Sequence, residues 1–225
     1  MRKIQLVLVA LIVLILSAFK ADHVITIYMI GDSTMSNKPL EGNNQERGWG
    51  HVLGSFFTED VRVENHAMNG RSSKSFIDEG RWETVVNKIR PGDYVFIQFG
   101  HNDEKPQPER HTDPGTTFDE NLRKFVRETR AKGGIPVLFN SIVRRNFGVN
   151  PDAVAADDIR PEKDEAVVEG DTLIDTHGKY LESPRNVAKE MDVCFIDLNQ
   201  ATKKLVESYG VEGSKKLFMW IPADT

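Results

Sequence analysis

Three short strings in this sequence put chemistry-bearing residues at the ends of apolar runs. "IGDSTM" sets Asp32 and Ser33 after the first run, "NHAMNGRSS" (residues 65–73) closes the second, and "FGHNDE" (residues 99–104) closes the third. Gly31-Asp32-Ser33 alone reads equally well as a turn that stops a strand, because these residue types do so cheaply. Together the three strings bring a hydroxyl, a glycine-containing turn and a side-chain amide. That is the inventory of acyl transfer: a nucleophile, and hydrogen-bond donors for the negative oxygen that its attack creates. Each such donor is worth on the order of 3 kcal/mol in a dry site. The hydroxyl also needs a base to take its proton.

The elements that must position these residues follow from the apolar pattern. Residues 24–30, 61–67, 94–99, 135–140 and 193–198 are short runs rich in β-branched and aromatic side chains, the pattern of strands buried on both faces. Helical spacing appears between them. Residues 47–57 carry Trp49, Val52, Leu53, Phe56 and Phe57, and residues 82–89 carry Trp82, Val85, Val86 and Ile89. Residues 117–132 align Phe118, Leu122, Phe125 and Val126, and Gly133-Gly134 stop that helix. Further helices are expected at 179–191 and 200–209, the last closed by Gly210. Strand–helix alternation predicts a mostly parallel sheet covered on both faces. Ligands of such sheets sit beyond the carboxyl ends of the strands, where the three strings lie. The long connection over residues 141–175, with seven acidic residues between Asp152 and Glu169, is either a loop over the site or a solvated acidic insertion.

Composition narrows the functional class. The chain has 225 residues, 39% hydrophobic and 28% charged, enough for one domain with a sizeable core. A net charge of −5 with no basic stripe argues against nucleic acid as a partner. Met1-Arg2-Lys3, the apolar residues 4–16 and then Ser17 and Ala18 form a signal-peptide pattern, with an uncleaved interfacial anchor as the alternative. Residues 1–21 are therefore read as a signal peptide and 22–225 as the domain, secreted or periplasmic, with no membrane contact after cleavage. Cleavage leaves 26 basic against 34 acidic residues, a balance of −8. The lone Cys194 has no internal partner for a disulfide, and within "VCFIDL" it reads as a buried small hydrophobe.

The order and spacing of Gly31-Asp32-Ser33, of Gly70 in "NGRSS" and of Gly100-His101-Asn102-Asp103 resemble the first three blocks of the SGNH (GDSL) hydrolases. The longer strings "NHAMNGRSSKSF", "FIQFGHNDEKP" and "LIDTHGKY" resemble its rhamnogalacturonan acetylesterase branch more narrowly. The resemblance implies a three-layer α/β/α sandwich with a flavodoxin-like, five-stranded parallel sheet. It also implies roles: Ser33 as nucleophile and, through its N–H, oxyanion donor, with Gly70 and Asn102 completing the oxyanion hole. Asp32 is expected to brace the turn, and His101 to pack behind Asn102. Arg71 and Ser72 either orient the turn or touch a sugar, and Arg144 and Arg145 are either sugar contacts or ordinary surface charges. The implied substrate is acetylated pectic polysaccharide or oligosaccharide, handled by a monomer without metal or cofactor.

The family's base is a late Asp-x-x-His block, and this sequence has none. Asp175 and His177 have one residue between them instead of two. Asp175 or Thr176 is expected to cap the following helix and His177 to be structural. The expectation is a chain that stops at Thr225 without its acid–base pair and final helix, and is impaired for that reason. Two other readings stay open: a lipase or thioesterase acting on small acyl esters, and a non-catalytic carbohydrate-binding module.

Overall fold

The computed structural model describes residues 24–42, 44–147 and 173–218. The proposed signal peptide, the acidic stretch from Asp152 to Glu169 and the end of the chain after Phe218 lie outside the described residues. All five apolar runs form strands: β1 (Ile25–Gly31), β2 (Val61–Asn65), β3 (Tyr94–Gln98), β4 (Ile135–Phe139) and β5 (Cys194–Ile196). They pair in parallel in the order β2-β1-β3-β4-β5, the flavodoxin-like order expected from the sequence. Strand β5 is shorter than predicted because Asp197 turns out of the sheet and its carboxylate accepts the Gln200 N–H at the start of a helix.

Side-chain alternation sorts the strands into two faces. Tyr28, Ile30, Val95, Ile97 and Leu138 face one layer of helices: α1 (Ser73–Asp78), α2 (Arg81–Val86), α3 (Thr117–Ala131) and α4 (Glu182–Met191). Phe76, Trp82, Phe125 and Val187 supply the matching apolar stripes, all nearly or fully buried. Helix α3 buries Phe118, Leu122, Phe125 and Val126 as the spacing predicted, and ends before Gly133, whose φ is +77°. Helix α5 (Leu198–Gly213) begins earlier than predicted, and Gly210 interrupts it at φ +63°, ψ −177°.

Ile27, Met29, Tyr94 and Phe96 occupy the other face, where Met35, Trp49 and Leu53 cover them. Here the predicted helix over residues 47–57 is replaced by two 3-10 turns, Trp49–His51 and Leu53–Phe56. The reason is local. A Cβ on Gly48 would lie 2.2 Å from the Ser36 carbonyl oxygen, so this glycine lets two backbones touch. The N–H groups of Trp49 and Gly50 then donate to the carbonyls of Thr34 and Met35 rather than along a helix. Val52 and Phe56 are left exposed. The register continues this face to Cys194 and Ile196. There Ile135 and Ile196 are 41% and 42% exposed, and Cys194 is exposed rather than buried, because no described side chain covers that end of the face. Among the described residues no helix is long and apolar enough to cross a membrane.

Candidate active site

Strand β1 ends in a turn that is held from several sides. At Gly31 a Cβ would meet the Gln98 carbonyl oxygen at 2.6 Å and the Met35 sulfur at 3.0 Å, so only glycine fits. Asp32 is fully buried, and its carboxylate accepts the Thr34 N–H at 2.8 Å and the Thr34 hydroxyl at 2.7 Å. Gln98, at the end of β3, donates its amide to the Thr34 oxygen at 2.8 Å and accepts the Trp49 indole N–H at 2.6 Å. Asp32 thus braces the turn, as expected. Ser33 stands half-buried at its tip. Among the described residues neither its hydroxyl nor its N–H has a hydrogen-bond partner.

The turn after β2 is bolted to the first. Asn69 Oδ1 accepts from Ser36 Oγ at 2.6 Å and from Lys38 Nζ at 2.7 Å. The Lys38 side chain is 1% exposed, and its ammonium also meets Glu46 at 2.7 Å. Gly70 follows at φ +73° with nothing within 4 Å of a built Cβ. Its glycine is required by backbone conformation, and its N–H has no acceptor among the described residues.

The turn after β3 delivers Asn102, which is 2% exposed. One of its two amide hydrogens goes to the Arg71 carbonyl at 3.1 Å, leaving the other to donate. Asp103 anchors this turn, accepting the Gly100 N–H at 3.1 Å, the Ser73 N–H at 3.0 Å, the Ser73 hydroxyl at 2.5 Å and the Thr112 hydroxyl at 2.9 Å. Complete burial pushes its carboxyl up to about 6, against the lowering effect of the Ser73 and Thr112 bonds.

Ser33, Gly70, His101 and Asn102 line one cleft of about 1060 Å³. Arg71 and Ser72, expected either to orient the turn or to touch a sugar, do not line this cleft. Ser72 is fully buried and caps α1, exchanging hydrogen bonds with Ser75, so its hydroxyl is used in orienting the turn. The Arg71 guanidinium is held by Glu79 at 3.0 Å and by the Asn69 carbonyl. Arg71 lines a smaller adjoining cavity of about 420 Å³. Arg144 and Arg145 do reach the cleft, but their guanidiniums are bonded within the fold. Arg144 pairs with Glu104 and Thr176, and Arg145 bonds Ser214 and the Val211 carbonyl. Among the described residues the lining is rich in basic side chains: Arg47, Lys105, Arg110, Lys215 and Lys216 also line it, with Glu46 as the acid, while Lys215 pairs with Glu212 and Arg110 with Glu109.

His101 packs edge-on against the His177 ring, with centroids 4.6 Å apart. Burial, then the charges of His177, Arg144 and Lys105, hold its imidazole well below the usual range. His177 is buried, and Asp175 accepts the N–H groups of His177 and Gly178 as the predicted cap. Among the described residues no histidine hydrogen-bonds Ser33. Lys38, Asn69 and Gln98 carry no signal in a single sequence, since long polar side chains read as surface until the fold buries them.

A profile of the "GDSL-like Lipase/Acylhydrolase family" matches residues 29–211. The chain is 40% identical over 196 residues to rhamnogalacturonan acetylesterase RhgT of Bacillus subtilis, covering 87% of this chain and 74% of that protein. It is 32% identical over 200 residues to the probable rhamnogalacturonan acetylesterase YesY of the same organism, covering 88% and 80%. The crystal structure of protein YxiM from Bacillus subtilis superimposes with a TM-score of 0.70 at 26% identity, over 87% of this chain and about half (49%) of that one. The chain belongs to the GDSL-like lipase/acylhydrolase family of serine ester hydrolases.

Proposed function

We propose that this protein is a secreted carbohydrate esterase that removes O-acetyl groups from rhamnogalacturonan through an acetyl-Ser33 intermediate. One observation carries the reading. Ser33, Gly70 and Asn102 line one cleft, and among the described residues the Ser33 hydroxyl, the Ser33 and Gly70 N–H groups and the second Asn102 amide hydrogen have no hydrogen-bond partner. A base takes the Ser33 proton, Oγ bonds to the acetyl carbon, and the carbonyl oxygen becomes an oxyanion held by the three donors. The bond to the sugar oxygen then breaks, and that oxygen takes the proton back from the base. Water repeats the sequence on acetyl-Ser33 and releases acetate. The relatives named as rhamnogalacturonan acetylesterases support the polymer as substrate, and the cationic cleft on a chain of net −5 suits a uronate-bearing one. Met1-Arg2-Lys3 and the apolar run behind it support export to where such a polymer is found.

The base is the weak link. With no imidazole bonded to Ser33 among the described residues, slow turnover is the expected outcome. The same fact favours the second reading, a carbohydrate-binding protein without turnover. Acetate release from acetylated rhamnogalacturonan, with and without Ser33→Ala, separates the two. Slow release abolished by S33A supports the esterase. Binding of the polymer with no Ser33-dependent release supports the binding protein, and preference for a long-chain acyl ester supports a lipase.

A further inference from the structure

Behind the oxyanion turn lies a cluster that the acyl-transfer chemistry does not use. His101, Glu104 and His177 each offer one donor atom, and the three atoms lie within 4.8 Å of one another. His177 is 3% exposed and its Nε2 faces the Ile142 carbonyl oxygen at 3.0 Å. A carbonyl only accepts, so Nε2 carries the hydrogen and Nδ1 presents its lone pair in the neutral ring. That lone pair faces Glu104 Oε2 at 3.1 Å, which is also an acceptor, with Arg144 Nη1 farther off at 3.4 Å. Two acceptors at that distance need a proton or a cation between them. An ion pair of His177 with Glu104 accounts for this contact alone. It leaves His101 unexplained, whose Nε2 is buried without a hydrogen-bond partner among the described residues, in a residue 5% exposed.

We propose that His101, Glu104 and His177 form a zinc site. Two imidazoles and a carboxylate are a donor set that zinc accepts, at about 2.0–2.2 Å from each atom. Bound ligand atoms then sit roughly 3.3 Å apart, so small side-chain rotations close the site. The Ile142 carbonyl already fixes the His177 tautomer and ring orientation, as partners of metal-bound imidazoles commonly do. Glu104 meets Arg144 through Oε1 and keeps Oε2 toward His177, so guanidinium and metal engage different oxygens. A cavity of about 390 Å³ lined by Glu104, Arg144, Thr176 and His177 gives an entry path. Because Asn102 follows His101 directly, zinc here ties the oxyanion turn to the loop that carries His177.

Zinc titration by calorimetry tests this without any assay of ester turnover, so its outcome is independent of whether Ser33 is active. The chain carries Cys194→Ser to remove the exposed thiol as a competing ligand. One equivalent of zinc is expected to bind with micromolar affinity or better. Glu104→Gln and His101→Asn should each weaken it at least about tenfold, while His111→Gln, at a half-buried histidine outside the cluster, leaves it unchanged. Variants are compared by thermal melting with and without zinc, and the zinc-induced shift should vanish in whichever of E104Q and H101N folds. Absence of stoichiometric binding, or binding that survives in a folded E104Q or H101N, overturns the proposal.

Discussion

Lys38 and Asp103 show how single buried polar groups set the geometry of the candidate site. A lysine with a side chain 1% exposed has given up its hydration, and its bonds to Asn69 and Glu46 offset that loss. Through Asn69 it fixes the distance between the Ser33 turn and the Gly70 N–H. Lys38→Met is expected to lower acylation of Ser33 by an activated acetyl ester with little change in KM, and to cost about 1–3 kcal/mol in urea unfolding. Unchanged acylation would remove Lys38 from the site. Asp103 supplies a pH signature. Its carboxyl titrates at about 6 in the fold and near 3.9 when unfolded, so the native state binds more protons in between. Its contribution therefore stabilises below about pH 4 and is lost as pH rises through about 6. His101, held well below its ordinary value, works in the opposite direction, since the unfolded ring protonates first as pH falls. Asp103→Asn removes only the first effect, so its stability should rise more steeply from pH 4 to 6 than the parent's. Identical slopes in urea midpoints would contradict this.

At the scale of elements, the proposed oxyanion donors are presented by turns that capping and strand ends hold in place. Ser72 is the clearest case: its hydroxyl accepts the Ser75 N–H and starts α1 directly behind Gly70. Ser72→Ala is expected to lower stability by about 1 kcal/mol without weakening binding of acetylated oligosaccharide. A selective loss of binding would restore Ser72 as a sugar contact. The contrast with the sequence is instructive here. The five strands, α3 and the convergence of Ser33, Gly70 and Asn102 were legible, because strand-length apolar runs and strand-end glycines carry local signals. Residues 47–57 misled, because Trp49, Val52, Leu53 and Phe56 keep helical spacing while Gly48 presses on the Ser36 backbone and takes the segment out of a helix. Cys194 misled for a related reason. Its apolar string marks a strand, but burial depends on what covers the sheet, and a strand pattern does not encode that. The bonds from Lys38 to Asn69 and from Asp103 to Ser73 join residues about 30 positions apart, beyond the reach of any local pattern.

For the whole molecule, charge distribution and the supply of a base decide what the assembled cleft does. A net negative chain presents basic side chains among the described residues of the cleft, which under the proposed function would concentrate attraction for an acidic polymer where Ser33 stands. Raising salt from low ionic strength to about 0.15 M shortens the screening length to about 8 Å. It should weaken binding of acetylated rhamnogalacturonan more than binding of a neutral acetylated oligosaccharide, and equal salt dependence would remove the cationic cleft from recognition. Ser33, Gly70 and Asn102, the proposed nucleophile and oxyanion donors, line the cleft, and no imidazole among the described residues is bonded to Ser33. The central claim is the proposal that Ser33 is the nucleophile of acyl transfer in this cleft. It is tested most directly by acetate release from acetylated rhamnogalacturonan with and without Ser33→Ala. The parent should release acetate, and S33A should lower the rate by about 10³-fold or more. Release by S33A at the parent's rate would contradict the account.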